Sequence, residues 1–173
     1  AFVCDDYKAL VCIMLGGGND SFNMLVPMDN DPYSEYSATR SNLAIDQNSL
    51  LRNNPGSYNE KKLGFHPAMQ EVKELFDLGK IASICNVGTL VQPTTVNDYD
   101  SGSILPQGLF SHSDQAHHWQ TSVPQSQYAT GWGGRLADLV QTANVNSDIS
   151  MNISLSGKNV FQLGNQASEY SIL

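Results

Sequence analysis

Two predominantly apolar runs mark the chain: Ala9-Leu-Val-Cys-Ile-Met-Leu15, ending in Gly16-Gly17-Gly18, and Ile81-Ala-Ser-Ile-Cys-Asn-Val87, ending at Gly88. Short runs of this kind bounded by glycine predict strands buried on both faces, as in a parallel sheet. Between them Met69, Val72 and Phe76, with Ala68 and Leu75 beside them, recur at helical spacing. Pro67 suits the first position of that helix and Gly79 the position just past its end. Strand, crossover helix and strand together predict a right-handed βαβ unit. The expected fold class is therefore α/β, a mostly parallel sheet flanked by helices.

The rest of the pattern fills in around that unit. Residues 31–40 predict a short helix with Asp31 as cap and Pro32 at its first position. Residues 48–64, with Asn53-Asn54-Pro55-Gly56, predict a surface loop. Residues 91–108 carry Pro93 and Pro106 and predict a second long loop, of the kind that often carries function. Helices are expected over 111–121 and, from Trp132, Leu136, Leu139 and Val140, over about 133–143. Residues 149–155 alternate apolar and polar, which predicts a half-buried strand. Residues 160–163 are expected to pair with it across the turn at 156–159. Residues 1–8 read as a terminal segment, and the whole as one domain or a large piece of one.

Composition narrows the function classes. In 173 residues, nine Lys and Arg face seventeen Asp and Glu, a formal charge of −8. That balance argues against a nucleic-acid partner, which needs clustered Lys and Arg on phosphates. Hydrophobic residues at 40% suffice for a core, and no apolar run approaches the ~18 residues of a membrane-spanning helix. Three cysteines, Cys4, Cys12 and Cys85, make neither a disulfide framework nor a CxxC zinc pattern. Cys12 and Cys85 lie in the apolar runs and are expected to be buried thiols. The chain starts at Ala1 with no charged segment and apolar stretch before it. The expectation is a removed targeting segment or a start inside a longer protein.

Two constellations could carry chemistry. Gly16-Gly-Gly-Asn-Asp20-Ser21 follows the first apolar run, where ligands gather in open α/β sheets. Asp20 there could hold a cation, or could satisfy nearby amides in a turn. The segment lacks GxGxxG and Gly-Lys-Ser/Thr, so a nucleotide loop fits badly. The second is Phe110-Ser-His-Ser-Asp-Gln-Ala-His-His-Trp119, with three of the four histidines. Imidazoles bind metals, and a serine beside a divalent cation can become a nucleophile. On a helix Asp114 shares a face with His118, and Ser113 with His117, whereas adjacent His117 and His118 diverge by about 100°. The alternative is a capping-box variant, Ser111-x-x-Asp114, with ordinary exposed histidines. His66 could cap the helix that follows it or bond a loop carbonyl. Arg135 could hold an anion or pair with a local carboxylate, and Trp119 and Trp132 read as packing anchors.

Taken together, residues 9–27, Phe65-His-Pro-Ala-Met69, Phe110-Ser-His-Ser-Asp-Gln115, Trp119-Gln-Thr121 and Thr130-Gly-Trp-Gly-Gly-Arg-Leu-Ala-Asp138 resemble the bacterial DUF1501 family. These are exported proteins related in fold to alkaline phosphatases and sulfatases. The ordered blocks span residues 9 to about 165. The resemblance implies an alkaline-phosphatase-like fold and a metal-dependent hydrolase of phosphate or sulfate esters. Asp20 would be a metal ligand, His112 and Asp114 further metal ligands or hydrogen-bond partners, Ser111 or Ser113 the nucleophile, and Asn19, His117 and Arg135 contacts to an anionic ester substrate. The cofactor would be a divalent metal (Zn, Ca or Mg). The sulfatase Cys-x-Pro-x-Arg pattern is absent. The family's later metal motifs would lie beyond Leu173, which implies a partial domain that associates with its remainder or with copies of itself. The implied location is periplasmic or extracellular. The other class of function is a non-catalytic structural or interaction protein in a secreted or surface assembly.

Overall fold

The computed structural model describes residues 8–53, 62–146 and 148–172. They divide into two compact units, one within residues 13–86 and one formed by residues 87–172 with residues 8–12.

In the first unit, β1 (Leu25–Pro27), β2 (Leu51–Arg52) and β3 (Leu63–Phe65) form an antiparallel sheet in the order β1-β3-β2. The register sets Leu25 and Leu51 on either side of Phe65. Gly64 in the central strand has no side chain because the Met28 sulfur and the Leu50 Cβ occupy that space. Val26, Met28 and Leu50 are buried there, with Tyr33, Tyr36 and Ile45 packed against them. The two tyrosines come from α1 (Asn30–Arg40). Its Pro32 falls inside the first turn, where its missing N–H costs no helical bond. α2 (Gln70–Asp77) presses Phe76 edge-on to Phe65, ring centroids 5.2 Å apart. Gly79, at φ 67°, ends it: Gly79 N–H bonds Phe76 O and Lys80 N–H bonds Leu75 O, the paired closure of a Schellman motif.

In the second unit, α3 (Val96–Asp100), α4 (His112–Thr121) and α5 (Trp132–Val140) precede a parallel pair, β4 (Asn152–Ser154) and β5 (Glu169–Ser171). The segment before β5 docks on α4 and α5. Gly131 N–H bonds Leu163 O and Gly134 N–H bonds Phe161 O, so loop carbonyls satisfy amides at the start of α5. The Gln120 Oε1 of α4 accepts the Val160 and Phe161 amides. The Trp132 ring meets Phe161 at 4.6 Å between centroids. Backbone approaches Gly134 so closely that any Cβ would run into Leu163 and Gly164.

This architecture corrects the expected fold class. Among the described residues the mostly parallel sheet flanked by helices, and with it the alkaline-phosphatase-like βαβ unit, is not formed: the three-stranded sheet is antiparallel, and the parallel pairing is confined to β4 and β5. Residues 9–15 and 81–87 carry no strand; Leu10, Val11 and Ile13 are each 79% exposed and Ile84 is 83% exposed. A doubly buried strand needs a neighbour on each edge and a layer on each face, and among the described residues these runs have neither. Cys12 and Cys85 are accordingly exposed, free thiols rather than buried ones.

Smaller departures have local causes. α1 starts at Asn30 with Asp29 as its cap position, placing Pro32 third rather than first. The expected loop over 48–64 contains β2 and the first two residues of β3, Leu63 and Gly64. Asn53 closes their pairing, its Oδ1 accepting the Leu63 amide and its own amide bonding Leu63 O. The tip of that expected loop, residues 54–61, lies outside the described residues, as do residues 1–7 and Cys4. The long 91–108 segment contains α3, closed by a capping box between Thr95 and Asp98. Residues 160–163 form no strand; β4 pairs with β5 instead, while Gln162 ties to β4 through its side chain and carbonyl.

Candidate functional site

The expected site residues fall in both units. Asn19 and Asp20 belong to the first, and Ser111, His112, Ser113, Asp114, His117 and Arg135 to the second.

Asp20 precedes a short 3-10 turn, Ser21–Asn23. Its Oδ2 is engaged twice, by the Arg40 guanidinium and by Asn23 Nδ2 at 2.9 Å. Asn23 is itself fixed: its Oδ1 accepts the Tyr36 hydroxyl at 2.6 Å, and its Nδ2 also bonds Leu43 O. The Tyr36 oxygen in turn accepts the Ile45 amide. A guanidinium already offsets the carboxylate charge, which weakens its pull on a metal ion. Asn19 Nδ2 rests on the Met24 sulfur.

Beside them stands His66, which the spacing of the sequence did not connect to Asp20. The antiparallel register Leu25↔Phe65 makes the connection, with His66 N–H bonding Met24 O. Its Nδ1 accepts the Ala68 amide at 3.1 Å, so it caps the turn ahead of α2. Its signal in the sequence is the Phe65-His66-Pro67 block.

In the second unit Ser111 is the N-cap of α4, its Oγ accepting the Asp114 amide and lying 3.2 Å from Ser113 Oγ. The Ser111 hydroxyl holds the Asp114 carboxyl below the usual carboxylate range. Desolvation works against this, while Gln127, His118 and His117 add to it. Gly108 permits the approach of that carboxylate, since a Cβ there would strike it. His112 is exposed on the first turn. His118 is fully buried, with Nε2 2.7 Å from Gln107 O and Nδ1 without a partner. His117 Nε2 is likewise buried and unpartnered, and the two rings lie 6.2 Å apart at 72°. Ser111, Ser113, Asp114 and the paired imidazoles thus gather on the first two turns of one helix.

Arg135 is committed to backbone. It donates to Thr121 O at 2.6 Å and Thr130 O at 2.7 Å and stacks over Tyr128. Thr121 O is one of the unpaired carbonyls at the end of α4, where a cation is favoured. Gln120 and Asp138, not singled out by the sequence pattern, do the comparable work for the 160–167 segment. Asp138 accepts the Asn165, Gln166 and Ala167 amides.

Among the described residues no group of three or more His, Cys, Asp or Glu side chains is arranged to hold an ion. No helix among them is long and apolar enough to cross a membrane. Comparison with family profiles, with curated proteins and with solved structures finds no match to this chain.

Proposed function

We propose that this protein works by association: a non-catalytic interaction module of an exported assembly, resembling the DUF1501 family, whose apolar surface is covered by further polypeptide of the same kind. The observation that carries this reading is the balance of apolar side chains. Val26, Met28, Leu50, Phe65, Phe76 and Ala137 are buried, while whole runs such as Leu10, Val11 and Ile13 stand in solvent. Apolar side chains left in solvent over several consecutive residues favour association. Export to the periplasm or beyond is part of the proposal and rests on the family resemblance alone.

The test is the oligomeric state of the purified chain, measured by light scattering across a dilution series. Self-association that Ile84→Asp weakens supports the reading, because Ile84 makes no core contribution that the substitution would remove.

A second reading, ester hydrolysis in the 111–118 segment, has one observation in its favour: a serine hydroxyl on a carboxylate beside two buried, unpartnered imidazole nitrogens. Turnover of p-nitrophenyl phosphate or sulfate that is lost in Ser111→Gly, a residue tolerated at a helix N-cap, with thermal stability kept, would establish it. Equal rates in the variant and the wild type would end it.

A further inference from the structure

We propose that the cleft lined by Asn19, Asp20, Asn23, Met24, His66 and Met69 binds a neutral, hydroxyl-rich ligand of the carbohydrate class. The cleft offers about 500 Å³, within the size range of small-molecule sites. It lies wholly in the first unit and does not depend on the association proposed above.

The chemistry follows from which atoms are already used. Both partners of Asp20 converge on Oδ2, Arg40 and Asn23 alike, which orients the carboxylate and leaves Oδ1 without a partner among the described residues. The chain from the Ile45 amide through Tyr36 to Asn23 holds that orientation. His66 Nδ1 accepts the Ala68 amide, so the neutral ring carries its proton on Nε2. Nε2 is therefore a donor. To ligate a metal through Nε2 the ring would have to carry its proton on Nδ1 instead and give up the bond from Ala68.

Two ligand classes are thereby disfavoured. A cation meets a carboxylate already paired with Arg40 and a histidine that presents a proton. An anion meets Oδ1 of Asp20. Hydroxyl groups suit either partner, because a hydroxyl can donate to Asp20 Oδ1 or accept from His66 Nε2–H. Asn19 adds an amide whose Nδ2, among the described residues, is held by the Met24 sulfur alone, and Met24 and Met69 supply soft apolar surface for a sugar's C–H face.

The test is nuclear magnetic resonance on the isotope-labelled full chain, following the His66 ring and the Asn19 and Asn23 side-chain amides. Glucose, galactose and N-acetylglucosamine are titrated, with Mg²⁺ and inorganic phosphate in parallel. Saturable shifts with at least one sugar are expected, and affinity about tenfold weaker in His66→Asn, the loss of one directed hydrogen bond. Asn keeps an acceptor for the Ala68 amide two residues on, so the turn survives while the Nε2 donor is removed. Absence of saturable shifts with all three sugars overturns the proposal. So does equal sugar affinity in His66→Asn, or saturation by Mg²⁺ or phosphate alone.

Discussion

Asp138 shows what a single carboxylate can do for a loop. The amides of Ala167, Asn165 and Gln166 hold its carboxyl below the ordinary range, with the Ala167 amide the largest influence. A folded-state value below the unfolded one means stability that is present above the unfolded pKa of about 3.9 and is lost as pH falls through the folded value. Asp98, lowered by Thr95, and Asp114, lowered by Ser111, act with the same sign. Denaturant unfolding should therefore find Asp138→Asn less stable than wild type at neutral pH, with the difference closing below about pH 4. An unchanged difference at low pH would mean that the carboxylate contributes nothing through its charge. Gly134 is the second decisive residue. Gly134→Ala places a methyl into the Leu163–Gly164 backbone and should cost about 3 kcal/mol in the same assay. Gly88→Ala, in open space, should be close to neutral. The glycines of Thr130-Gly-Trp-Gly-Gly134 thus have a packing reason, and Arg135 after them a backbone-satisfying one.

Among the elements, helices were more legible than strands. α2 followed from Val72 and Phe76 at helical spacing and from Gly79, which closes it as expected. α4 followed from Ser111-x-x-Asp114, and Ser111 is its N-cap. Ser111→Ala should cost about 1 kcal/mol, read as a lowered denaturation midpoint. Phe76→Ala should cost about 3 kcal/mol, since it empties the contact with Phe65 that joins α2 to the sheet. Strand pairing was not legible because the decisive contacts are remote in sequence. Leu25↔Phe65 pairs residues whose flanking pattern is short and partly polar, whereas the conspicuous run at 9–15 has no pairing partner among the described residues. An apolar run reports a need for cover, not which surface supplies it. The same remoteness hid His66: only the β1–β3 register brings it beside Met24 and the Asp20 turn. The clustering within 111–118 was legible, because a helix relates those positions locally. What each side chain does there was not, since Gln107, Gly108 and Gln127 take part from outside the helix.

For the molecule as a whole, the described residues place few apolar side chains in cores and many in solvent, and the account turns on what covers the exposed ones. Burying apolar surface yields roughly 25 cal/mol per Å², so runs like 9–15 and 81–87 provide a strong drive to associate. The most direct measurement is light scattering on the purified chain over a wide concentration range, with a hydrophobic dye reporting free apolar surface. The account predicts a mass that rises above the 18.9 kDa of one chain, falling dye fluorescence as it rises, and weaker association in Ile84→Asp. A mass fixed at one chain at every concentration, with no dye bound, would contradict it.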